Sequence, residues 1–211
     1  METLEAHLTP AQRKIFASLT SPVKIQAYLD SIPYRPEDEY LSPLRSFQHG
    51  KAHCFDGGLL AAAALRRLGY PPVIVQMQPE ADDDHILAIF KRDGCFGAVG
   101  KSNYVGLRYR DPIYRSLREL IMSYFEDFYN LEYLKSLRGY SYPLDLRRFD
   151  RFNWEVDDAG ADRIWQHLPA TRKVWLLTPQ QIAELPPIDQ RSYQGGMLGT
   201  DMAGVYDPAK H

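Results

Sequence analysis

An α+β fold is predicted for this chain of 211 residues by three observations: a helix with no polar face, a β-branched strand signal directly after it, and a hairpin dipeptide beyond that. The helix spans 55–68, where Leu59, Leu60, Ala61, Ala62, Ala63, Ala64 and Leu65 leave nothing for solvent, the pattern of a helix buried in a core. Gly69 stops it, with Pro71 and Pro72 beyond. Val73, Ile74 and Val75 open a strand running to Met77, too short for a helix. An acidic loop over 79–84 follows. The segments 86–91 and 95–101 then flank Asp93-Gly94, whose residue types suit the left-handed angles of a tight hairpin turn, so they pair antiparallel. A two-residue turn pairs Arg92 with Cys95 and puts Ser102 opposite His85. A three-residue turn puts Lys101 there.

Toward the N-terminus a helix is predicted over 10–19, and a second is announced by Ser21-Pro22, an N-cap followed by proline in the first turn, and ends before Pro33. The run 34–50, rich in proline, charge and serine, reads as a surface loop. After Asp111-Pro112, Ile113, Leu117, Leu120, Ile121, Tyr124, Phe125 and Phe128 recur at helical spacing, predicting an amphipathic helix of about four turns. Beyond Gly139 two short helices are expected, at 162–168 and 179–185, with an irregular tail from Ser192. No repeat or linker divides the chain, so it is read as one domain over 1–211 with a core at 23–103 and a C-terminal extension at 104–211.

Composition narrows the functions. Lys and Arg number 25 against 27 Asp and Glu, a net charge of −2 that gives no footprint for nucleic acid or an acidic membrane surface. The longest apolar stretch, 57–65, falls short of the roughly 18 residues a membrane span needs. No basic, apolar leader opens the chain, and the expected location is cytoplasmic. Two cysteines, Cys54 and Cys95, cannot make a disulfide framework, but a single reactive thiol is permitted. Nothing in the sequence marks an oligomeric state.

Cys54 stands where the loop enters the buried helix, so the helix's unpaired N–H groups should favour its thiolate. His85 opens the second strand, and a sheet packed on the helix would bring its ring to the thiol as the base of a Cys-His pair. Asp56, in the first helical turn, stabilises the helix but would raise the thiol pKa. Cys95, at the hairpin tip, is assigned to structure. A metal set drawn from His49, His53, Cys54, Asp56, Asp82, Asp83, Asp84 and His85 lacks paired ligand spacing, and no cofactor is expected. Lys101, Arg108, Arg110, Arg115 and Arg118 form a basic cluster that either binds a substrate anion or is a solvated face.

Taken together, several features resemble the transglutaminase-like superfamily of papain-fold cysteine enzymes. They are the helix before Pro33 with Tyr34 after it, Cys54 with its Ala-rich helix, Leu65-Arg66-Arg67-Leu68-Gly69-Tyr70-Pro71 leading into Val73-Ile74-Val75, and His85 at the next strand. The likeness covers 23–103. It implies a cysteine helix packed on an antiparallel sheet and a Cys-His-Asp triad acting on amide or ester carbonyls. Two departures stand out: Ile86 and Leu87 replace the family's aromatic, and Lys101-Ser102-Asn103 holds no carboxylate where the aspartate belongs. Asn103 is the expected substitute for orienting His85, with Ser102 second. Gln48, six residues before Cys54, has the spacing of the papain-like glutamine that donates to the oxyanion. The expected function is a cysteine hydrolase or acyl transferase acting on a peptide or small acyl or amide substrate. Its rival is an inactive scaffold of the same fold used for binding.

Overall fold

The computed structural model describes residues 2–36 and 39–206. Helices α1 (Pro10–Ser18), α2 (Pro22–Ser31) and α3 (Pro43–His49) precede α4 (Cys54–Arg67). Each of the first three starts the same way: the side chain of Thr9, Ser21 or Ser42 caps the helix and a proline follows in the first turn. Residues 43–49 are therefore helical, a correction to the loop expected over 34–50. Ser42-Pro43 is the same start signal as Ser21-Pro22, and Gly50, at φ 63°, supplies the left-handed stop.

Strands β1 (Val73–Pro79), β2 (His85–Arg92) and β3 (Cys95–Val99) follow. Arg92 pairs with Cys95, and Asp93 and Gly94 both take positive φ, the two-residue turn that the dipeptide predicts. The chain continues through β4 (Arg110–Tyr114), α5 (Leu117–Met122), β5 (Leu137–Ser141), β6 (Leu144–Asp145), α6 (Asp158–His167), β7 (Lys173–Trp175), α7 (Pro179–Ala183) and α8 (Gln190–Gly196). Among the described residues the strands form one antiparallel sheet in the order β4-β3-β2-β1-β5-β7, with β6 beside β1.

The predicted four-turn helix over 113–128 does not form. Residues 110–114 pair with β3 instead, and only the six residues of α5 are α-helical, between the Ser116 cap and Ser123, whose Oγ donates to the Leu120 carbonyl. The structure stays α+β, but its C-terminal part adds strands as well as helices.

Side chains alternate across the sheet. Ile74, Ile86, Ala88 and Phe90 face α4 and a core completed by α2, α3 and α6. Val75, Met77, Leu87 and Ile89 face a second core with Leu120, Ile121, Tyr124 and Phe128. Helix α4 can approach β2 closely because Gly58 lacks a side chain: a Cβ there would stand 2.6 Å from Ile86 Cγ2. Gly58→Ala is expected to destabilise the chain by about 1–3 kcal/mol in a urea titration, despite alanine's better helix propensity, because the packed sheet must yield. A neutral or stabilising result would show that the contact has slack. No helix among the described residues is long and apolar enough to cross a membrane.

Candidate active site

Cys54 is the first residue of α4, and His53 caps that helix with its ring. Nδ1 of His53 accepts from the N–H groups of Phe55 and Asp56 at 3.1 and 3.3 Å, which leaves the proton on Nε2, 3.1 Å from the Glu39 carbonyl. Asp56 lies fully buried in the same turn. Its carboxylate receives Arg35 Nε and Nη2 at 3.0 and 2.8 Å and the Leu41 N–H at 2.9 Å. The helix-end donors expected to activate the sulfur are thus taken by an imidazole, and a carboxylate offsets the positive end.

The thiol of Cys54 donates to the Asp84 carbonyl at 3.4 Å, and the N–H of Ile86 lies against the sulfur. Burial above all, then the negative charge of Asp83 with lesser contributions from Asp56 and Asp84, pushes the thiol pKa up to about 12. His85 is buried with Nε2 2.7 Å from the Leu107 carbonyl, and burial brings its pKa down to about 4 against the pull of that carbonyl. At neutral pH the two groups are a neutral thiol and a neutral imidazole. This corrects the expected thiolate: desolvation and neighbouring carboxylates outweigh a helix end already capped.

Cys54 and His85 line one cavity of about 30 Å³, room for about one water, with Tyr34, Asp83, Asn103 and Leu107 among its walls. No hydrogen bond joins the two side chains. By the strand's alternation His85 shares the face of Leu87 and Ile89, away from α4, so the thiol meets the backbone on either side of His85 rather than its ring.

The other expected site residues are placed elsewhere. Strand β3 ends at Val99 because Gln26 takes both backbone groups of Gly100, donating to its carbonyl at 2.9 Å and accepting from its N–H at 3.1 Å. The ladder therefore never carries Ser102 opposite His85, and Ser102 Oγ accepts from the Tyr104 N–H at 2.9 Å instead. Asn103 does not orient His85: its amide is committed to residues 201–204. Lys101, expected as an oxyanion or substrate ligand, has its ammonium buried and donating to the Leu29 and Ile32 carbonyls at 2.8 and 2.5 Å, where it closes the C-terminus of α2. Gln48 is exposed on α3 and does not reach the cavity.

Of the basic cluster, Arg108 lies 3.3 Å from Asp30, and Arg110 pairs with Asp127 at 3.0 Å and covers the Tyr124 ring. Among the described residues no three His, Cys, Asp or Glu side chains form a metal-binding group.

Three features escape a reading of side-chain letters. The first is the Leu107 carbonyl, a backbone atom in the orienting position. The second is Tyr34, whose hydroxyl lies against the Cys54 N–H; its bridge to Ala52 brings it there, and its place after Pro33 was the available signal. The third is the state of the acidic loop. Burial raises the pKa of Asp82 to about 7 and of Asp84 to about 6, although Ser136 donates to the first and Gln76 and Gln78 to the second.

No family model and no curated protein matches the chain. Among solved structures, Legionella pneumophila LapG is similar at 14% sequence identity and a TM-score of 0.35, covering 46% of this chain and 68% of that one. The EGTA-treated form of Legionella pneumophila LapG is similar at 14% identity and the same TM-score of 0.35, over 47% and 66%.

Proposed function

We propose that this chain is a cysteine-dependent hydrolase or acyl transferase acting on amide or ester carbonyls. The observation that supports it is a nucleophile and a base lining one cavity: Cys54 at the start of a buried helix, and His85 with Nε2 tied to a carbonyl. That tie puts the ring proton on Nε2 and leaves Nδ1 as the base. In the proposed reaction Nδ1 takes the thiol proton as sulfur attacks the substrate carbonyl. The S–C bond forms, the C–N or C–O bond breaks, and the leaving group departs with the proton. Water or an amine then cleaves the thioester, with His85 again as base. Substrate entry must first shift the thiol off the Asp84 carbonyl and bring the imidazole to it. The Leu107 carbonyl takes the part that a carboxylate plays in a Cys-His-Asp triad, holding the ring without adding charge.

The non-catalytic binding scaffold is the second reading, favoured by the desolvation that holds both groups neutral. Incubation with 4-nitrophenyl acetate followed by peptide mass spectrometry separates the two. The enzyme reading expects an acetyl adduct on Cys54 and not on Cys95, formed roughly 100-fold more slowly in His85→Ala. An adduct rate indifferent to His85, or no adduct on Cys54, leaves the scaffold.

A further inference from the structure

The segment beyond α8 turns back over the candidate site. Gly199, at φ 75°, reverses the chain, and Asn103 then takes hold of its backbone. Nδ2 of Asn103 donates to the carbonyls of Asp201 and Gly204 at 2.8 and 3.0 Å, while Oδ1 accepts from the Asp201 N–H at 2.9 Å. Thr200 Oγ1 adds a bond to the Asn103 carbonyl at 3.2 Å. Every contact of the amide is with main chain, so it reads a peptide irrespective of the side chains that peptide carries. Gly204 completes the fit. It lies on the Tyr34 ring so closely that a Cβ would stand 2.8 Å from Cδ1 and Cε1, and it lines the Cys54 cavity. On the far side of the same wall is a larger cavity of about 450 Å³, bounded by Tyr34, Asn103, Tyr104 and Arg108 and roofed by Leu198, Gly199 and Asp201. The two cavities share Tyr34, Ser102, Asn103 and Tyr104, and the segment 198–204 lines both.

We propose that Tyr34, Asn103 and Tyr104 form a peptide-binding site beside Cys54, that residues 200–204 fill it in cis, and that its ligand in trans is a peptide presenting glycine to the Tyr34 ring. The inference deepens the proposed function by naming its substrate class and the segment that occludes it. Occupancy of the groove does not itself require chemistry at the thiol. A tethered segment competes at an effective concentration of about millimolar, so an outside peptide gains access only when the segment is loosened.

The test uses the full chain. Gly204→Leu sets a side chain against Tyr34. Asp201→Pro removes the N–H held by Asn103 and keeps φ near the native −78°, which proline accepts. Iodoacetamide labelling of Cys54 is followed by mass spectrometry with Cys95 as internal reference and thermal unfolding as a check on the fold. Both variants are expected to label Cys54 about 10-fold faster than wild type, as the closed population falls. A synthetic peptide of residues 198–206 is expected to slow labelling of the variants again, and the same peptide carrying Gly204→Leu to leave it fast. Unchanged labelling in two folded variants overturns the proposal, and so does faster labelling that the native peptide does not reverse. The closed segment would shield the thiol from the ester as well, so acetylation is also measured in the two opened variants with and without His85→Ala. Alkylation that rises on opening while acetylation ignores His85 fails the enzyme reading and leaves the occlusion standing. His85-dependent acetylation without a change in alkylation does the reverse.

Discussion

Replacing Asp56 by alanine is expected to lower the free energy of unfolding by about 3–5 kcal/mol, read from urea titration at pH 7.5. The carboxylate is buried and accepts from Arg35 Nε and Nη2 and from the backbone N–H groups of Leu41 and His53. Truncation leaves the Arg35 guanidinium, itself buried, without its carboxylate, and takes the side-chain acceptor from the N–H of the buried Leu41. Asp56→Asn keeps an acceptor for Leu41 and should fall between wild type and alanine. A loss below about 1 kcal/mol would mean that the pair behaves as a solvated surface ion pair. The consequence reaches the site. Arg35 follows Tyr34 in the chain, so the ion pair pins Tyr34 and the 39–41 segment across the start of α4. The same substitution should therefore disturb the Tyr34 hydroxyl at the Cys54 N–H.

The parts of this structure legible in the sequence are those decided by neighbouring residues. The Ala-rich helix needs only its own composition, and the Asp93-Gly94 hairpin needs only two left-handed residues and flanking apolar runs. The helix expected over 113–128 shows the limit of periodicity. Ile113 belongs to β4 and is exposed, whereas Leu120, Ile121 and Phe128 enter the second core from a helix and a loop. Apolar spacing near 3.6 residues thus arose from three elements placed in succession. Strands β5 and β7 carry little alternation of their own; Gly139 sits opposite Trp175, a pairing settled by contacts far apart in the chain. The candidate site divides along the same line. Cys54 and His85 were visible as residue types at element starts, but a backbone carbonyl from Leu107 has no letter. Asn103 was visible as an amide near the site, while its partners, residues 201–204, lie about a hundred positions away and carry no signal pointing back.

Lowering the pH from 8 to about 5 is expected to raise the thermal stability of this chain. Burial lifts Asp82 to about 7 and Asp84 to about 6, against roughly 4 for a carboxyl in the unfolded chain. Between those values the native state holds protons that the unfolded state has released, so stability grows as pH falls. His85 works in the opposite sense. Its native pKa of about 4 lies below the unfolded value of about 6.5, so the unfolded state takes up the proton first and stability is lost over that interval. Each tenfold difference in proton affinity is worth about 1.4 kcal/mol, and between pH 8 and 5 the two carboxylates outweigh the one histidine by about 2 kcal/mol. Asp82→Asn removes the larger of the two contributions and should flatten the rise between pH 7 and 5, measured as the midpoint of circular dichroism melts. A midpoint that instead climbs steadily from pH 5 to 8 would mean that the carboxylates keep ordinary affinities and the loop is better solvated than its burial implies. The profile bears on chemistry as well as folding. Protonating Asp84 removes one of the negative neighbours that hold the Cys54 thiol up. The pH that firms the acidic loop therefore also lowers the charge barrier to forming the thiolate.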